Sequence, residues 1–273
     1  MVVADDFGRS PGVNRAIAEG FDRGIVTAAS LMASGAAFDD AVSRAVARPP
    51  LSVGLHVTLC DGRAVLPPSR IPSLVDEEGV FEASPARAGI RYWRDRRRLA
   101  PLLAAEIAAQ FDRLSAAGLH PTHADAHHHL HVHPLLFPMV CREAAKRRVG
   151  WIRVPTGDLR EGRLVEWAVF ELLASFNGRT ARRHHLETAD RVHGLARTGR
   201  IDEAYLLDLL PRLRGGWNEL FVHPDGDTPH GRQELQAIVS PHVRERIESL
   251  GIALTTYHPA GDQAPAGRQG ATS

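Results

Sequence analysis

Leu51-Ser52-Val53-Gly54-Leu55-His56-Val57-Thr58-Leu59 is a mostly apolar run that starts directly after Pro49-Pro50 and stops before Asp61-Gly62. Its length, its valines and its flanking breakers predict a strand. Upstream, Phe38 to Ala47 reads as a helix stopped by the two prolines, and Ile25 to Met32 as a buried strand. Ser10 and Pro11 mark an earlier helix start: the serine side chain can cap a free N–H, and a proline at the first position loses no hydrogen bond. Val13, Ile17 and Phe21 then share one face, and Gly24 stands where a helix often ends on glycine. The chain opens with Val2-Val3-Ala4, a short strand that runs into Asp5-Asp6. Residues 1–60 thus alternate strand, helix, strand, helix, strand, the pattern of parallel strands covered by helices.

Beyond this unit, residues 61–90 read as irregular, punctuated by Pro67-Pro68, Pro72, Gly79 and Pro85. A helix is expected from Leu99 to Ala117, a short strand over Thr122–Ala126, a helix from Pro134 to Arg148 and a strand at Ile152–Val154. Residues 160–215 read as helical. Trp217–His223 and Ile252–Tyr257 read as the last strands, with a helix over Val243–Leu250 between them. The fold class is α/β: one domain over residues 1–260, a closed or partly closed barrel, with a Gly/Ala/Gln/Ser-rich tail at 261–273 expected to be disordered.

Composition narrows the function. The 33 basic and 32 acidic residues nearly cancel, to a formal net charge of +1, which argues against nucleic-acid binding. Lys146 is the only lysine, leaving almost no residue for Schiff-base or phosphate-loop chemistry. Cys60 and Cys141 are too few for a disulfide framework. The start, Met-Val-Val-Ala-Asp-Asp, has neither a basic region nor an apolar run, so no signal peptide is expected. The expected location is cytoplasmic, with a peripheral membrane contact left open, as is a homodimer.

The chemistry gathers at expected strand ends, which in parallel β/α folds face the active site. Asp5-Asp6 ends the first strand, His56 lies in the third, and His127 opens His127-His128-His129-Leu130-His131-Val132-His133 after the fourth. One carboxylate and two imidazoles leave open positions on a divalent metal, which can hold and acidify a water. Adjacent aspartates in an extended segment point opposite ways, so one could bind metal while its neighbour acts as a base. The alternatives are a structural His56, an Asp-Asp turn and an adventitious histidine chelator. Glu219, Phe221 and His223 share one strand face, which makes His223 either a general acid or a structural histidine. Arg153, at another strand end, either binds substrate or pairs with a structural acid. Gly8-Arg9-Ser10-Pro11-Gly12 mimics a serine-hydrolase elbow, but Pro11 has no N–H for an oxyanion hole, so Ser10 is a cap. Arg91-Tyr92-Trp93-Arg94-Asp95-Arg96-Arg97-Arg98 is either a solvated segment or a patch for an anionic partner such as phosphate or membrane head groups.

Several of these motifs, in order, resemble the YdjC-like carbohydrate deacetylases: Ala4-Asp5-Asp6-Phe7-Gly8, Ser10-Pro11-Gly12-Val13-Asn14, Gly24-Ile25-Val26-Thr27, Val53-Gly54-Leu55-His56, Pro121-Thr122-His123-Ala124-Asp125-Ala126-His127-His128-His129-Leu130-His131 and His223-Pro224. The resemblance implies a distorted TIM-like barrel related to the polysaccharide deacetylases. It also implies removal of the acetyl group from an N-acetylglucosamine-type sugar, using one divalent ion, magnesium or zinc. Carried over motif by motif, Asp6, His56 and His127 would hold the metal, Asp5 would be the general base and His223 a candidate acid. His129, His131, Arg153 and Glu219 would contact substrate. Leu66-Pro67-Pro68, Ile71-Pro72-Ser73-Leu74-Val75-Asp76 and Ala88-Gly89-Ile90-Arg91 resemble the hopanoid-biosynthesis-associated branch, whereas the His-His-His run is closer to the chito-oligosaccharide branch. The expected partner is therefore an N-acetylated sugar or glycolipid. A metal phosphoesterase and a non-catalytic metal-binding protein are the competing readings.

Overall fold

The computed structural model describes residues 1–155 and 164–257. Seven parallel strands form one sheet in the order β5-β4-β3-β2-β1-β7-β6. They are β1 (Val2–Phe7), β2 (Ala28–Leu31), β3 (Ser52–Val57), β4 (His123–Ala126), β5 (Trp151–Ile152), β6 (Arg191–His193) and β7 (Asn218–Val222). The sheet curls until its two edges meet at Glu187. Its N–H donates to the Gly150 carbonyl at 2.8 Å and its carbonyl accepts from Ile152 N–H at 3.0 Å, on the β5 edge. The chain then enters β6, which pairs with β7. That single bridge between Trp151 and Glu187 lies outside the named strands, so the sheet is a curled half-barrel and β5 and β6 do not pair as strands.

The first helix, α1 (Pro11–Arg23), starts as its sequence dictates: Ser10 Oγ accepts from Val13 N–H at 3.2 Å, with Pro11 in the first turn. Its end differs from expectation. Gly24 has φ −111°, so no left-handed cap is formed. Glycine is required there by space, because a Cβ would lie 2.5 Å from the carbonyl oxygens of Gly20 and Ile238. The helix α2 (Phe38–Val46) follows β2, and α3 (Pro85–Arg94) with α4 (Arg96–Ala116) follow β3. Next come α5 (Leu136–Lys146), α6 (Leu164–Arg183) and α7 (Glu203–Leu209), and lastly α8 (Pro229–Ile238) and α9 (Pro241–Ser249).

Three expectations need correcting. The region 61–90 is irregular only to Ser84, since Ser84 caps α3. The region 160–215 is broken by β6, whose three residues are too few for a periodic signal. Ile252–Tyr257 is not a strand. Both edges of β7 are taken, by β1 and β6, so no edge is free for it there. The tail at 261–273 and the start of the 160–215 region lie outside the described residues.

Strand alternation sorts the interior. Residues such as Val13, Ile17, Leu31, Leu55 and Phe111 fill the layer between sheet and helices. Val3, Ala28, Trp151, Val192, Phe221 and Tyr257 form a smaller apolar floor. Gly54 in β3 has no side chain because a Cβ there would lie 2.5 Å from the His123 ring. Above the floor the strands turn polar, and most of the candidate chemistry lies at or near their C-terminal ends, Glu219 near the start of β7 excepted.

Candidate active site

The two aspartates of β1 do not point opposite ways, as a regular strand would require. The β1–β2 register shifts between Ala4 and Phe7, and Asp6 takes the left-handed conformation at φ 63°. Such an irregularity re-aims a side chain, and aspartate tolerates that region better than most residues. Both Asp5 and Asp6 consequently face one cleft of about 690 Å³, together with His56, His127, His128, His129 and His223.

Asp6, His56 and His127 converge. His127 Nδ1 lies 2.9 Å and His56 Nε2 3.3 Å from Asp6 Oδ1. Yet Asp6 Oδ1, His56 Nε2 and His127 Nε2, all buried, make no hydrogen bond among the described residues. Buried polar atoms left without a hydrogen bond are costly unless a ligand satisfies them; His56 Nε2 faces Asp6 Oδ1, while His127 Nε2 turns toward Asp61 Oδ2 at 3.5 Å. Burial disfavours the Asp6 carboxylate, but the two imidazoles hold it well below the usual carboxylate range. The outer oxygen of Asp6 accepts from Arg9 at 2.9 Å.

Behind this triad, His56 Nδ1 lies 2.8 Å from Asp125 Oδ1. The two are register partners on β3 and β4. Burial alone would lower the His56 pKa, but the Asp125 carboxylate outweighs it and pushes it up to about 10 in the metal-free protein. Asp125 Oδ2 accepts from Ser30 at 2.7 Å, and Ser30 also meets His123 Nε2 at 3.1 Å. Burial drives His123 down to about 3, so it sits neutral against the Tyr257 ring.

Arg153 ties the polar layer together. Its guanidinium donates to Asp5 Oδ2 at 2.6 Å and Asp5 Oδ1 at 2.9 Å, and lies 2.8 Å from Asp125 Oδ2. It also donates to Glu219 and covers the Phe221 ring at 4.9 Å. Arg153 and Glu219 are fully buried and are absent from the cleft wall. Their expected role as substrate contacts does not fit this placement: all three guanidinium nitrogens are taken by carboxylates, and the Phe221 ring lies against one face. Burial pushes the Glu219 carboxyl upward. His131 is likewise buried, with Nε2 2.8 Å from the Arg153 carbonyl, so it braces the site from behind. His129 does line the cleft, edge-on to Phe221 at 4.7 Å. His223 Nε2 lies 3.9 Å from Asp5 Oδ2, and its backbone N–H is held by Glu234.

Sequence reasoning missed Asp125 and Asp61. Asp125 sat inside a quoted motif; the signal was a carboxylate in a four-residue strand two positions before His127. Asp61 lies in an irregular loop with φ 47°, and its Oδ2 is 3.0 Å from His128 Nε2 and 3.5 Å from His127 Nε2. No periodicity marks such a residue. His120 and His133 lie outside the cleft wall.

Residues 1–249 match the family described as YdjC-like protein. The chain belongs to that family. A relative from Geobacillus stearothermophilus named carbohydrate deacetylase is 33% identical over 269 residues, covering 94% of this chain and 96% of its own. A carbohydrate deacetylase of Brevibacillus brevis is 40% identical over 149 residues, about half of each chain (55% and 56%). A chitooligosaccharide deacetylase of Salmonella paratyphi B is 37% identical over 153 residues, with the same coverage. In fold, the chain resembles a crystal structure from Enterococcus faecalis V583 whose name assigns it to cellobiose-phosphate cleavage. That likeness has a TM-score of 0.74 at 24% identity and covers 94% of this chain and 96% of the other.

Proposed function

We propose that this YdjC-family chain is a metal-dependent hydrolase that removes the acetyl group from an N-acetylglucosamine-type sugar. The observation that carries the reading is the convergence of Asp6, His56 and His127, each with one buried polar atom left without a hydrogen bond, beside Asp5, a carboxylate locked by Arg153. One carboxylate and two imidazoles suit a divalent ion such as zinc, or magnesium with added waters. When bound, the ion would polarise the acetyl carbonyl and acidify water.

The chain's own groups supply the rest. Asp5 takes the proton of the attacking water, and its orientation is fixed because Arg153 grips both oxygens. His223, partly exposed in the cleft wall, returns a proton to the departing amine. His129 and the outer histidine His128 line the path by which the sugar enters. The names of the Geobacillus and Salmonella relatives support the reaction class.

The acceptor is either a soluble chito-oligosaccharide or a lipid-linked N-acetylglucosamine such as the hopanoid glycolipid. Acetate release from chitobiose, set beside release from a glycolipid bearing the same sugar, tests the proposal and separates the two. Release of inorganic phosphate from sugar phosphates with no acetate from either substrate would replace the reading with a phosphoesterase.

A further inference from the structure

The arginine-rich segment at 91–98 takes no part in the site. It forms the corner where α3 ends and α4 begins, with Asp95 between them. On that corner Ile90 is 68% exposed and Trp93 50% exposed. Large apolar side chains so exposed, and so close together, mark an interaction surface more often than a solvated one. Around them, residues 87–98 carry six arginines and one acid in a chain whose net charge is +1. Arg94 pairs with Asp95, and Arg96 lies over the Trp93 ring at 4.9 Å. Arg97 and Arg98 are exposed and make no close ion pair among the described residues, although Asp95 feels the Arg98 charge. Three arginines in the first turn of α4 also oppose the positive end of the helix dipole. Intramolecular electrostatics therefore disfavours the cluster, and an external anion would relieve it.

The corner is linked through one turn to the helix that carries a second exposed apolar pair. Trp93 packs edge-on to His133 at 6.0 Å. On the other side of the same turn, Asn177 of α6 donates to the Val132 carbonyl at 3.0 Å. One residue before Asn177, Phe176 is 49% exposed, and Leu172 one turn earlier is 73% exposed. That turn, His127–Val132, begins with the cleft histidines.

We propose that the α3–α4 corner binds an anionic lipid surface, with Ile90 and Trp93 entering the interface and Arg96, Arg97 and Arg98 on head-group phosphates. Aromatic and aliphatic side chains ringed by arginine are the chemistry of peripheral membrane attachment. Among the described residues no helix is long and apolar enough to cross a membrane. The inference rests on the surface alone and holds whether or not the acetyl reading does.

The test is co-sedimentation of the full chain with vesicles of equimolar phosphatidylglycerol and phosphatidylcholine, and with phosphatidylcholine alone. The chain should sediment with the anionic vesicles only, and less as salt is raised. Reversing two charges with Arg97→Glu and Arg98→Glu should lower partitioning at least about tenfold, since each basic residue near such a surface contributes about a fivefold gain. Trp93→Ser should weaken it at unchanged charge, and both variants should keep the wild-type urea unfolding midpoint. Absence of sedimentation overturns the proposal, as does equal sedimentation of wild type and variants. Binding to soluble polyglutamate without binding to vesicles would assign the corner to an acidic protein and also overturn it.

Discussion

Asp125 Oδ1 lies 2.8 Å from Nδ1 of His56, across the register between β4 and β3. The contact fixes which imidazole nitrogen is left for the cleft: Nδ1 faces the carboxylate, and Nε2 points unpartnered toward Asp6. Carboxylates behind metal-binding histidines set ring orientation and basicity. Asp125→Asn should therefore keep the fold but lower divalent-metal affinity by roughly 10- to 100-fold, as read by competition with a chelating dye. Unchanged affinity would remove Asp125 from the site.

The raised pKa of His56 gives metal uptake a sign. In the metal-free protein the ring is held protonated up to about 10 by Asp125, so at neutral pH an entering cation must displace a proton. Calorimetry in buffers of different ionisation heat should show proton release on binding, and affinity should fall as pH falls. Uptake without proton release would contradict the arrangement.

Arg153 carries the largest stability expectation. Its removal would leave Asp5 and Asp125 as carboxylates buried without their cation, along with the buried Glu219. Arg153→Met should cost on the order of 3–5 kcal/mol in urea unfolding. Arg153→Lys keeps the charge but not the fork that grips both Asp5 oxygens, so it should lose activity more than stability.

Acid should loosen the fold through two buried neutral imidazoles. Burial lowers His123 to about 3 and His131 to about 4, against 6.5 for a free ring. Between those values the unfolded chain binds protons that the folded chain refuses, so stability falls as pH drops from about 6.5 toward 4. The urea midpoint should shift downward over that window, and His123→Gln should flatten the slope. A midpoint independent of pH there would show that neither ring is buried neutral.

Packing beneath the site is tested at Gly54. A Cβ there would meet the His123 ring at 2.5 Å. Gly54→Ala should destabilise by about 1–3 kcal/mol, the usual cost of overpacking a core.

Much of this was legible in the residues. The alternation over residues 1–60 gave three parallel strands, Ser10 proved to be a cap, and His56 and His127 met Asp6 as strand-end logic required. What escaped depended on partners distant in sequence. Whether Arg153 faces substrate or structural acids turns on Asp5, Asp125 and Glu219, which only the curled sheet brings together. The common aim of Asp5 and Asp6 comes from a bulge set by pairing with β2, not by local propensity. The contact at Glu187 rests on one bridge and leaves no periodic trace.

The central claim is that Asp5, gripped by Arg153 and beside the Asp6–His56–His127 triad, is the base of an N-deacetylation. Acetate release from chitobiose and from a lipid-linked N-acetylglucosamine, measured for the metal-loaded wild type and for Asp5→Asn, tests it most directly. The wild type should release acetate from at least one of them, and Asp5→Asn should lose about 10²- to 10⁴-fold in kcat while still binding metal. Acetate release by Asp5→Asn at the wild-type rate, or none from either substrate by the wild type, would contradict it.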